Sequence, residues 1–363
     1  MPSSLFSPFS LRGLQLDNRI VVSPMAQYSA IDGGVAGDWH LMHIGSLAVS
    51  GPGLVIMEAT AVQPSGRVSP VCLGLWSDAQ VEGLRRVTDF AHAHGGVKIG
   101  IQLAHAGRKA SVAPPWLTGK ELSVAEGGWD TVGPSTTPYP GRRTPAALDD
   151  AALAKLTADY VAATRRAHEA GLDLLELHCA HGYLLNSFLS PLSNDRTDAY
   201  GGDIEGRMKF PLSVFKAVRA AWPENLPLGV RISATDWVDG GWDIDASVTF
   251  AKELKALGCD YVTPSSGGVV PEQKITVGPG YQVPFSAAIR EQAGIATMAV
   301  GMIGDGQHAE QILDSGAADL IAIGRGMTYD PRWSWHAAEK LGQRAAFPPQ
   351  YARSHPSMRN LPR

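Results

Sequence analysis

The sequence predicts an α/β protein, a (β/α)8 barrel of the TIM type with a long lid-like insertion after its third strand. Nearly continuous apolar runs, rich in β-branched residues, recur eight times, and the intervals between them leave room for a helix. Such runs are typical of parallel strands that are buried on both faces. Eight strands alternating with helices favour a closed barrel, and a doubly wound open sheet is the alternative. No GxGxxG motif opens the first helix, which counts against that alternative.

The predicted strands follow directly from these apolar runs. In chain order they are RIVVSPM (19–25), GLVIMEA (53–59), KIGIQLA (98–104), LDLLELH (172–178), PLGVRIS (227–233), DYVTPSS (260–266), ATMAVGM (296–302) and DLIAIGR (319–325).

Stretches of helical period lie between the runs. One begins at the capping candidates Ser77 or Asp78 and ends at Gly95, and another covers residues 150–171 and ends at Gly171. The segments DASVTFAKELKALG and GQHAEQILDSGA repeat the pattern. The sequence therefore predicts helices that alternate with the strands.

The chain is expected to be a single domain, residues 1–363, because no linker separates two parts of it. Residues 106–148 are rich in proline and glycine and lack a sustained period, so they are predicted to form a loop or lid. Residues 345–363 are predicted to form a C-terminal tail.

Composition excludes several classes of protein. The net charge of −4 and the pI near 6.3 indicate neither a nucleic-acid nor an acidic-membrane partner. Cys72, Cys179 and Cys259 are too few for a disulfide framework or a thiolate metal cage. The chain has no apolar run of about 18 residues and no signal pattern, so a cytoplasmic protein without a membrane segment is expected.

Polar side chains interrupt the apolar runs at one end of the predicted barrel. Active sites of such barrels lie at the carboxyl ends of the strands, so these side chains are expected to line one pocket. They are Ser23, Gln27 and Tyr28 after the first strand, Glu58 and Thr60 at the second, Gln102 and His105 at the third, His178, His181 and Tyr183 at the fourth, Arg231 in the fifth and Arg325 at the eighth.

Arg231 and two glycine-rich segments point to a ligand. A buried guanidinium is unfavourable without an anion or a full set of acceptors. Arg231 therefore either forms an internal ion pair, for example with Glu58 or Glu176, or faces an anionic or electron-accepting ligand. The segments VGMIGDG (300–306) and AIGRGM (322–327) follow strands seven and eight, where barrels often bind phosphate through backbone N–H groups.

His178, His181 and Tyr183 allow three interpretations. With Glu176, the histidines could bind a metal, although no HExxH or HxxEH motif is present. They could instead be core histidines satisfied by the backbone. The third interpretation is a pair of N–H donors that binds a substrate carbonyl oxygen while Tyr183 delivers a proton.

Six motifs resemble the Old Yellow Enzyme family of flavin ene-reductases, most closely its thermophilic-like bacterial branch. They are SPMAQYSA, EATAVQPSGR, GIQLAHAGRKA, HCAHGYLLNSFLSPLSNDRTDAYGG, VRISATD and IAIGRG, which occur in order through nearly the whole chain. The resemblance implies a barrel that binds FMN non-covalently and takes a hydride from NADPH or NADH. It also implies that a hydride passes from flavin N5 to the β-carbon of an α,β-unsaturated carbonyl or nitro compound.

The resemblance assigns roles to individual residues. Tyr183 would donate a proton to the α-carbon, His178 and His181 would bind the substrate carbonyl group, and Tyr28 would contact the substrate. Lys109 would lie near the flavin. No metal is expected. The FMN-binding residues would be Ser23, Pro24, Met25, Ala26, Ala59, Gln102, Arg231, Met302, Gly324 and Arg325.

Two further features bear on the family's properties. Ala26 stands where this branch commonly has a cysteine that tunes the flavin, so the flavin potential and the substrate preference do not carry over. The tail motif PPQYARSH implies a homodimer or homotetramer in which Arg353 binds substrate in a neighbouring subunit's site. A surface arginine on a loose tail is the alternative.

Two other functions compete with the ene-reductase. A lyase or isomerase of a phosphorylated substrate would use the same glycine loops, but it would need a lysine or carboxylate at a strand end, where the sequence offers only Glu58. A flavin-storage protein would not need Tyr183 beside paired donors.

Overall fold

Eight parallel strands close into a barrel in the computed structural model, which describes residues 3–353. Strand β12 meets β3 with Ala322 opposite Val21, which closes the sheet. Within the described residues the strands are β1 (Phe9–Leu11), β2 (Leu14–Leu16), β3 (Ile20–Val22), β4 (Leu54–Ala61), β5 (Lys98–Ala104), β6 (Val132–Gly133), β7 (Ala146–Ala147), β8 (Leu174–Cys179), β9 (Leu228–Ser233), β10 (Tyr261–Ser265), β11 (Ala296–Val300) and β12 (Leu320–Ile323).

The barrel consists of β3, β4, β5, β8, β9, β10, β11 and β12, each paired with its neighbour in chain order. The predicted (β/α)8 architecture and its eight strands are therefore confirmed, and the open-sheet alternative is wrong. The first strand is shorter than predicted, because Pro24 has no N–H group with which to extend the ladder beyond Ser23.

Helices cover the outside of the barrel. Within residues 3–353 they are α1 (Asp38–Ala48), α2 (Val81–Gly95), α3 (Asp150–Glu169), α4 (Leu184–Leu189), α5 (Ile204–Ala221), α6 (Ile244–Ala256), α7 (Val283–Ala293), α8 (Gly306–Asp314), α9 (Arg325–Tyr329) and α10 (Trp333–Lys340).

Aspartate side chains begin four of these helices by accepting a hydrogen bond from a backbone N–H group of the first turn. They are Asp149 before α3, Asp203 before α5, Asp243 before α6 and Asp305 before α8. Helix α3 thus begins one residue after its cap, and Gly171, with φ of +83°, follows its end as predicted. Ser77 caps a 3-10 turn that leads into α2, and the left-handed Gly96 ends that helix.

The apolar core has two parts, one inside the amino-terminal end of the barrel and one between the strands and the helices. The short hairpin β1–β2 places Leu14 and Leu16 against Leu54, Leu174 and Leu320, which begin three barrel strands. A larger apolar cluster fills the layer between the strands and the helices. The amino-terminal end of the barrel is therefore closed by apolar side chains, and polar groups collect at the carboxyl end.

The insertion after β5 is held by arginine side chains rather than by regular structure. Arg108 is 1 % exposed, and its guanidinium donates to the carbonyl oxygens of Pro138 at 2.9 Å and Val269 at 2.7 Å. The strands β6 and β7 form a small parallel pair inside the insertion. That the insertion acts as a lid, and that the chain is one domain, stay predictions.

None of the helices within the described residues has the length and apolar character that a membrane span requires. Of the predicted tail, residues 354–363 lie outside the described residues.

Candidate active site

A cavity of about 560 Å³ opens at the carboxyl ends of the barrel strands. Its volume is within the range of small-molecule and cofactor sites. Seven of the predicted FMN-binding residues line this cavity: Ser23, Pro24, Met25, Arg231, Met302, Gly324 and Arg325. The sequence thus predicted residues from four separate strand ends that the fold brings together.

Arg231 lies at the inner end of this cavity with an unused donor. The residue is 8 % exposed, its Nη1 donates to Ser23 Oγ at 2.7 Å, and its Nε has no hydrogen-bond partner among the described residues. Within residues 3–353 it forms no ion pair shorter than 4.0 Å, so the predicted alternative of a pair with Glu58 or Glu176 is wrong.

Glu58 is directed away from Arg231 by the backbone. The register between β4 and β5 shifts between Met57 and Ala59, and this irregularity turns the Glu58 side chain outward. There Glu58 accepts a hydrogen bond from the Gln27 backbone N–H at 2.9 Å and lies 3.2 Å from His40 Nε2.

Glu176 is occupied by neutral donors inside the barrel. It accepts hydrogen bonds from Gln102 Nε2 at 2.7 Å and from Thr263 Oγ1 at 2.8 Å. Burial raises the pKa of Glu176, and the nearby charge of Arg231 offsets this effect only in part. Gln102 therefore contacts Glu176, and its predicted role at the flavin stays a prediction.

The far end of the cavity has exposed backbone and a free cation. Met302 has a left-handed φ of +51°, and a Cβ on Gly324 would approach Met25 Sδ to 3.2 Å. The Arg325 side chain is exposed and has no ion-pair partner among the described residues. At one end of the cavity, the Nε of Arg231 is a buried donor that a polar ring could use. At the other end, Arg325 lies beside Gly324 and could bind a phosphate. The two ends therefore fit a cofactor with a polar ring and a phosphate.

His178, His181 and Tyr183 form one aromatic cluster beside Arg231. The His178 ring lies edge-on to both neighbours, with its centroid 5.1 Å from that of His181 and 4.9 Å from that of Tyr183. His178 Nδ1 accepts a hydrogen bond from the Ala180 N–H at 3.1 Å, so the proton of the neutral ring lies on Nε2. His181 Nε2 lies 2.7 Å from Ser265 Oγ.

Burial determines the protonation of this cluster. Burial, reinforced by the positive charge of Arg231, lowers the pKa of His178 and of His181 well below the usual value, so both rings are neutral at pH 7. Burial also raises the pKa of Tyr183, which keeps its hydroxyl group protonated. The cluster thus presents an N–H donor at His178 Nε2, a neutral His181 ring whose Nε2 contacts Ser265 Oγ, and a phenolic proton.

A left-handed turn delivers these side chains from the end of β8. His181 has φ of +61°, and Gly182 has φ of +73°. A Cβ at position 182 would lie 2.3 Å from the carbonyl oxygen of Gly268, so only glycine fits. Lys109 Nζ stabilises the turn by donating to the carbonyl oxygens of His181 and Gly268, each at 2.8 Å.

Tyr28 also adopts a left-handed backbone, with φ of +51°. Its ring lies edge-on to Trp116 of the insertion, with 5.6 Å between centroids. Ala26 is exposed, and Ala59 lines a small void with Tyr183. Contacts of these three positions with FMN or substrate stay predictions.

The two other interpretations of the histidines are weaker in the structure. No group of three or more metal-ligating side chains occurs within the part of the chain that is described. The Nε2 of His178 has no hydrogen-bond partner among those residues, so the pair is not a satisfied core cluster.

Sequence reasoning missed Tyr281 and Gln282, which also line the cavity. Gln282 is 2 % exposed, and its side chain bridges Ser266 Oγ at 2.6 Å and the Val300 carbonyl oxygen at 2.9 Å. Both residues lie in the long segment after β10, where no motif marks them. Arg353 is exposed at the end of the described chain, and its predicted role in a neighbouring site stays a prediction.

Known proteins resemble this chain along nearly its whole length. The family described as NADH:flavin oxidoreductase / NADH oxidase matches residues 4–344. The chain is 46 % identical to an NADPH dehydrogenase of Listeria innocua over 97 % of its length and 99 % of the relative's. It is 45 % identical to an NADPH dehydrogenase of a Geobacillus species, with the same two coverages.

Solved structures have the same fold. Morphinone reductase superposes with a TM-score of 0.78 at 28 % identity, covering 95 % of this chain and 91 % of that one. The old yellow enzyme homologue from Zymomonas mobilis superposes with a TM-score of 0.77 at 27 % identity, covering 98 % and 99 %.

Proposed function

Because the chain belongs to the NADH:flavin oxidoreductase / NADH oxidase family, we propose that it is an ene-reductase, which reduces the activated C=C bond of α,β-unsaturated carbonyl compounds. The chain is an FMN-dependent oxidoreductase that uses a nicotinamide hydride donor. This membership replaces the alternative of a non-redox lyase or isomerase. The proposal adds the class of substrate and the roles of the side chains.

The observation that carries the proposal is the position of two neutral histidines and a protonated tyrosine beside a cavity with a fixed positive charge. A flavin-storage protein has no use for neutral histidines and a protonated tyrosine beside Arg231, which lines the cofactor cavity. An enzyme that adds a hydride and a proton across a C=C bond needs both kinds of group.

The cavity residues would hold FMN at its two polar ends. Arg231 and Ser23 would bind the ring, while Arg325 and the backbone around Met302 and Gly324 would bind the phosphate. When bound, FMN supplies a two-electron carrier that takes a hydride from NADPH or NADH and passes it to the β-carbon.

His178 and His181 would bind the carbonyl oxygen of the substrate. Hydride addition at the β-carbon moves negative charge onto this oxygen, and N–H donors fixed in a buried site stabilise that charge without reorganisation. Each neutral ring has one N–H donor: His178 would donate from Nε2, and His181 would donate from Nδ1 while its Nε2 accepts from Ser265 Oγ.

Tyr183 would complete the reduction by donating its proton to the α-carbon. The phenolic O–H bond breaks, the new C–H bond forms, and solvent returns a proton to the tyrosinate. Lys109 acts indirectly, because its hydrogen bonds hold the turn that carries His181. General acids of this kind contribute roughly 10²- to 10⁴-fold to a rate.

The substitution Tyr183→Phe tests the proposal. Reduction of the bound flavin by NADPH is expected to proceed at the wild-type rate, whereas reoxidation by 2-cyclohexenone is expected to slow by about 10²-fold or more. Anaerobic stopped-flow absorbance of the flavin measures the two half-reactions separately. Tyr200→Phe removes a hydroxyl group outside the cavity lining and is the matched control. Equal losses in both half-reactions would contradict the assignment.

A further inference from the structure

Three cationic side chains of the insertion surround one aromatic ring. The Tyr139 ring centroid lies 4.9 Å from Lys109 Nζ, 5.1 Å from Arg142 Cζ and 5.8 Å from Arg108 Cζ. Within residues 3–353, none of these three cations forms an ion pair with a carboxylate. Like charges this close repel one another, the face of the Tyr139 ring offsets this repulsion only in part, and a bound anion would offset it further.

The three cations differ in how many donors remain free. Arg108 is buried, its two terminal nitrogens donate to backbone carbonyl oxygens, and its Nε, which has no partner among the described residues, is closed off from solvent. Lys109 uses two of its three N–H groups on the carbonyl oxygens of His181 and Gly268. Arg142 is half-buried, and its side chain makes a single hydrogen bond within the described residues, from Nη1 to the Lys109 carbonyl oxygen at 2.6 Å. Lys109 and Arg142 therefore retain donors.

Lys109 lies beside Tyr183, the proposed proton donor. Lys109 Nζ lies 5.4 Å from the centroid of the Tyr183 ring. Burial raises the pKa of Tyr28 and of Tyr183, and the charge of Arg142 acts in the opposite direction on both hydroxyl groups. Burial, with the charges of Arg142 and Arg108, lowers the pKa of Lys109 to about 7. An anion beside Lys109 would restore its positive charge.

We propose that Lys109 and Arg142 form a binding site for an anionic group, a carboxylate or a phosphate, on the molecule that occupies the substrate pocket. The inference rests on the proposed function for the location of that pocket. The anion has two sources: a carboxylate on the unsaturated substrate, or a phosphate of NADPH, whose 2′-phosphate is absent from NADH.

The variant Arg142→Gln removes the charge and keeps a donor. Arg142→Lys keeps the charge, and Lys120→Gln removes an exposed charge from the same insertion. The substrates are 3-oxocyclohex-1-ene-1-carboxylate and its neutral carboxamide. We expect Arg142→Gln to lower the carboxylate-to-carboxamide ratio of kcat/KM by about tenfold, since a hydrogen bond to a charged group has roughly that effect. Arg142→Lys is expected to restore the ratio largely, and Lys120→Gln to leave it unchanged.

The nucleotide is tested in the same variants. The second-order rate constant for flavin reduction is measured with NADPH and with NADH, and the NADPH-to-NADH ratio of the two constants is compared among the variants. A tenfold fall in this ratio, with the substrate ratio unchanged, supports the proposal with the nucleotide phosphate as the anion. If neither ratio changes by more than twofold, the proposal is overturned.

A binding measurement separates this inference from the proposed function. Calorimetric titration of the oxidised holoenzyme with the saturated pair, 3-oxocyclohexane-1-carboxylate and its carboxamide, needs no turnover. The Kd of the carboxylate is expected to rise about tenfold in Arg142→Gln relative to that of the carboxamide. Failure of the wild-type enzyme to reduce 2-cyclohexenone would instead remove the proposed function while leaving this titration interpretable.

Discussion

At the scale of single residues, Arg231 shows how a buried cation reports on a ligand that binds beside it. Its guanidinium is held by Ser23, yet its Nε has no partner in the part of the chain that the structure describes, and Glu58 and Glu176 accept hydrogen bonds from other groups. An unsatisfied buried donor costs about 1–3 kcal/mol, which a ligand acceptor would recover. Binding of FMN beside Arg231 is therefore expected to raise the free energy of unfolding.

The substitution Arg231→Met is expected to affect the protein without FMN and the protein with FMN bound to different extents. Without FMN, the free energy of unfolding is expected to change by less than about 1 kcal/mol, because loss of an uncompensated buried charge offsets loss of one hydrogen bond. The affinity for FMN is expected to fall by about tenfold or more, because a charge-assisted contact is lost. Urea unfolding of the cofactor-free protein and fluorescence titration with FMN measure the two quantities. An unchanged FMN affinity would show that Arg231 does not contact the cofactor.

At the scale of elements, the insertion after β5 depends on a few buried side chains instead of its own hydrogen-bond ladder. Arg108 joins its start to Pro138 near its end and to Val269 after β10. The same insertion carries Trp116, which contacts Tyr28, and Arg142. Its position therefore determines the outer wall of the substrate pocket.

Arg108→Met is expected to release the insertion. Two buried carbonyl groups lose their donor, so the free energy of unfolding should fall by about 3 kcal/mol. Limited proteolysis should cleave within residues 114–128 faster than in wild type, with Lys120→Gln as the control. Unchanged stability and unchanged cleavage would mean that the insertion is held by other contacts.

The barrel strands were predictable because both of their faces are buried, which makes them apolar throughout. The hairpin β1–β2 was not predicted, since strands of three residues are too short for an alternating pattern to stand out. Its role depends on tertiary packing against Leu54 and Leu174. Local sequence does not encode such a contact.

The candidate site was predictable where polar residues interrupt strands, as at Arg231 and His178. It was not predictable where a long segment folds back over the barrel. Gln282 lies 17 positions after Ser265, and their side chains meet at 3.4 Å only because that segment returns to β10. The outward turn of Glu58 was also missed, because a register irregularity leaves no mark in the residue types.

At the scale of the whole molecule, the apolar end of the barrel provides stability and the polar end provides chemistry. The polar end buries three histidines in neutral form. Burial lowers the pKa of His105 to about 4 and, with Arg231, lowers the pKa of His178 and His181 well below its usual value. Unfolding exposes all three to solvent, where their pKa is about 6.5.

The sign of the resulting pH dependence follows from proton counts. Below about pH 6.5 the unfolded chain binds protons that the folded histidines do not, so stability falls as pH falls from about 6.5 toward 4. Each histidine contributes a slope of up to about 1.4 kcal/mol per pH unit. The double variant His178→Asn and His181→Asn should therefore reduce the slope of the unfolding free energy in this window by up to about 2.7 kcal/mol per pH unit.

Urea unfolding at fixed excess FMN, repeated between pH 4.5 and 8, measures this slope. The slope near pH 8 is the internal control, because an unfolded histidine with a pKa of about 6.5 is almost wholly neutral there, as the folded histidines are. The same slope in wild type and double variant would mean that the pair is not buried in neutral form.

An ene-reductase passes the electrons of its reduced flavin to an activated C=C bond. One anaerobic turnover tests it most directly: enzyme reduced by one equivalent of NADPH is mixed with 2-cyclohexenone, and both flavin absorbance and products are quantified. The oxidised flavin spectrum is expected to return, and one equivalent of cyclohexanone is expected to form per flavin. Flavin that stays reduced until oxygen is admitted, with the enone recovered unchanged, would contradict it.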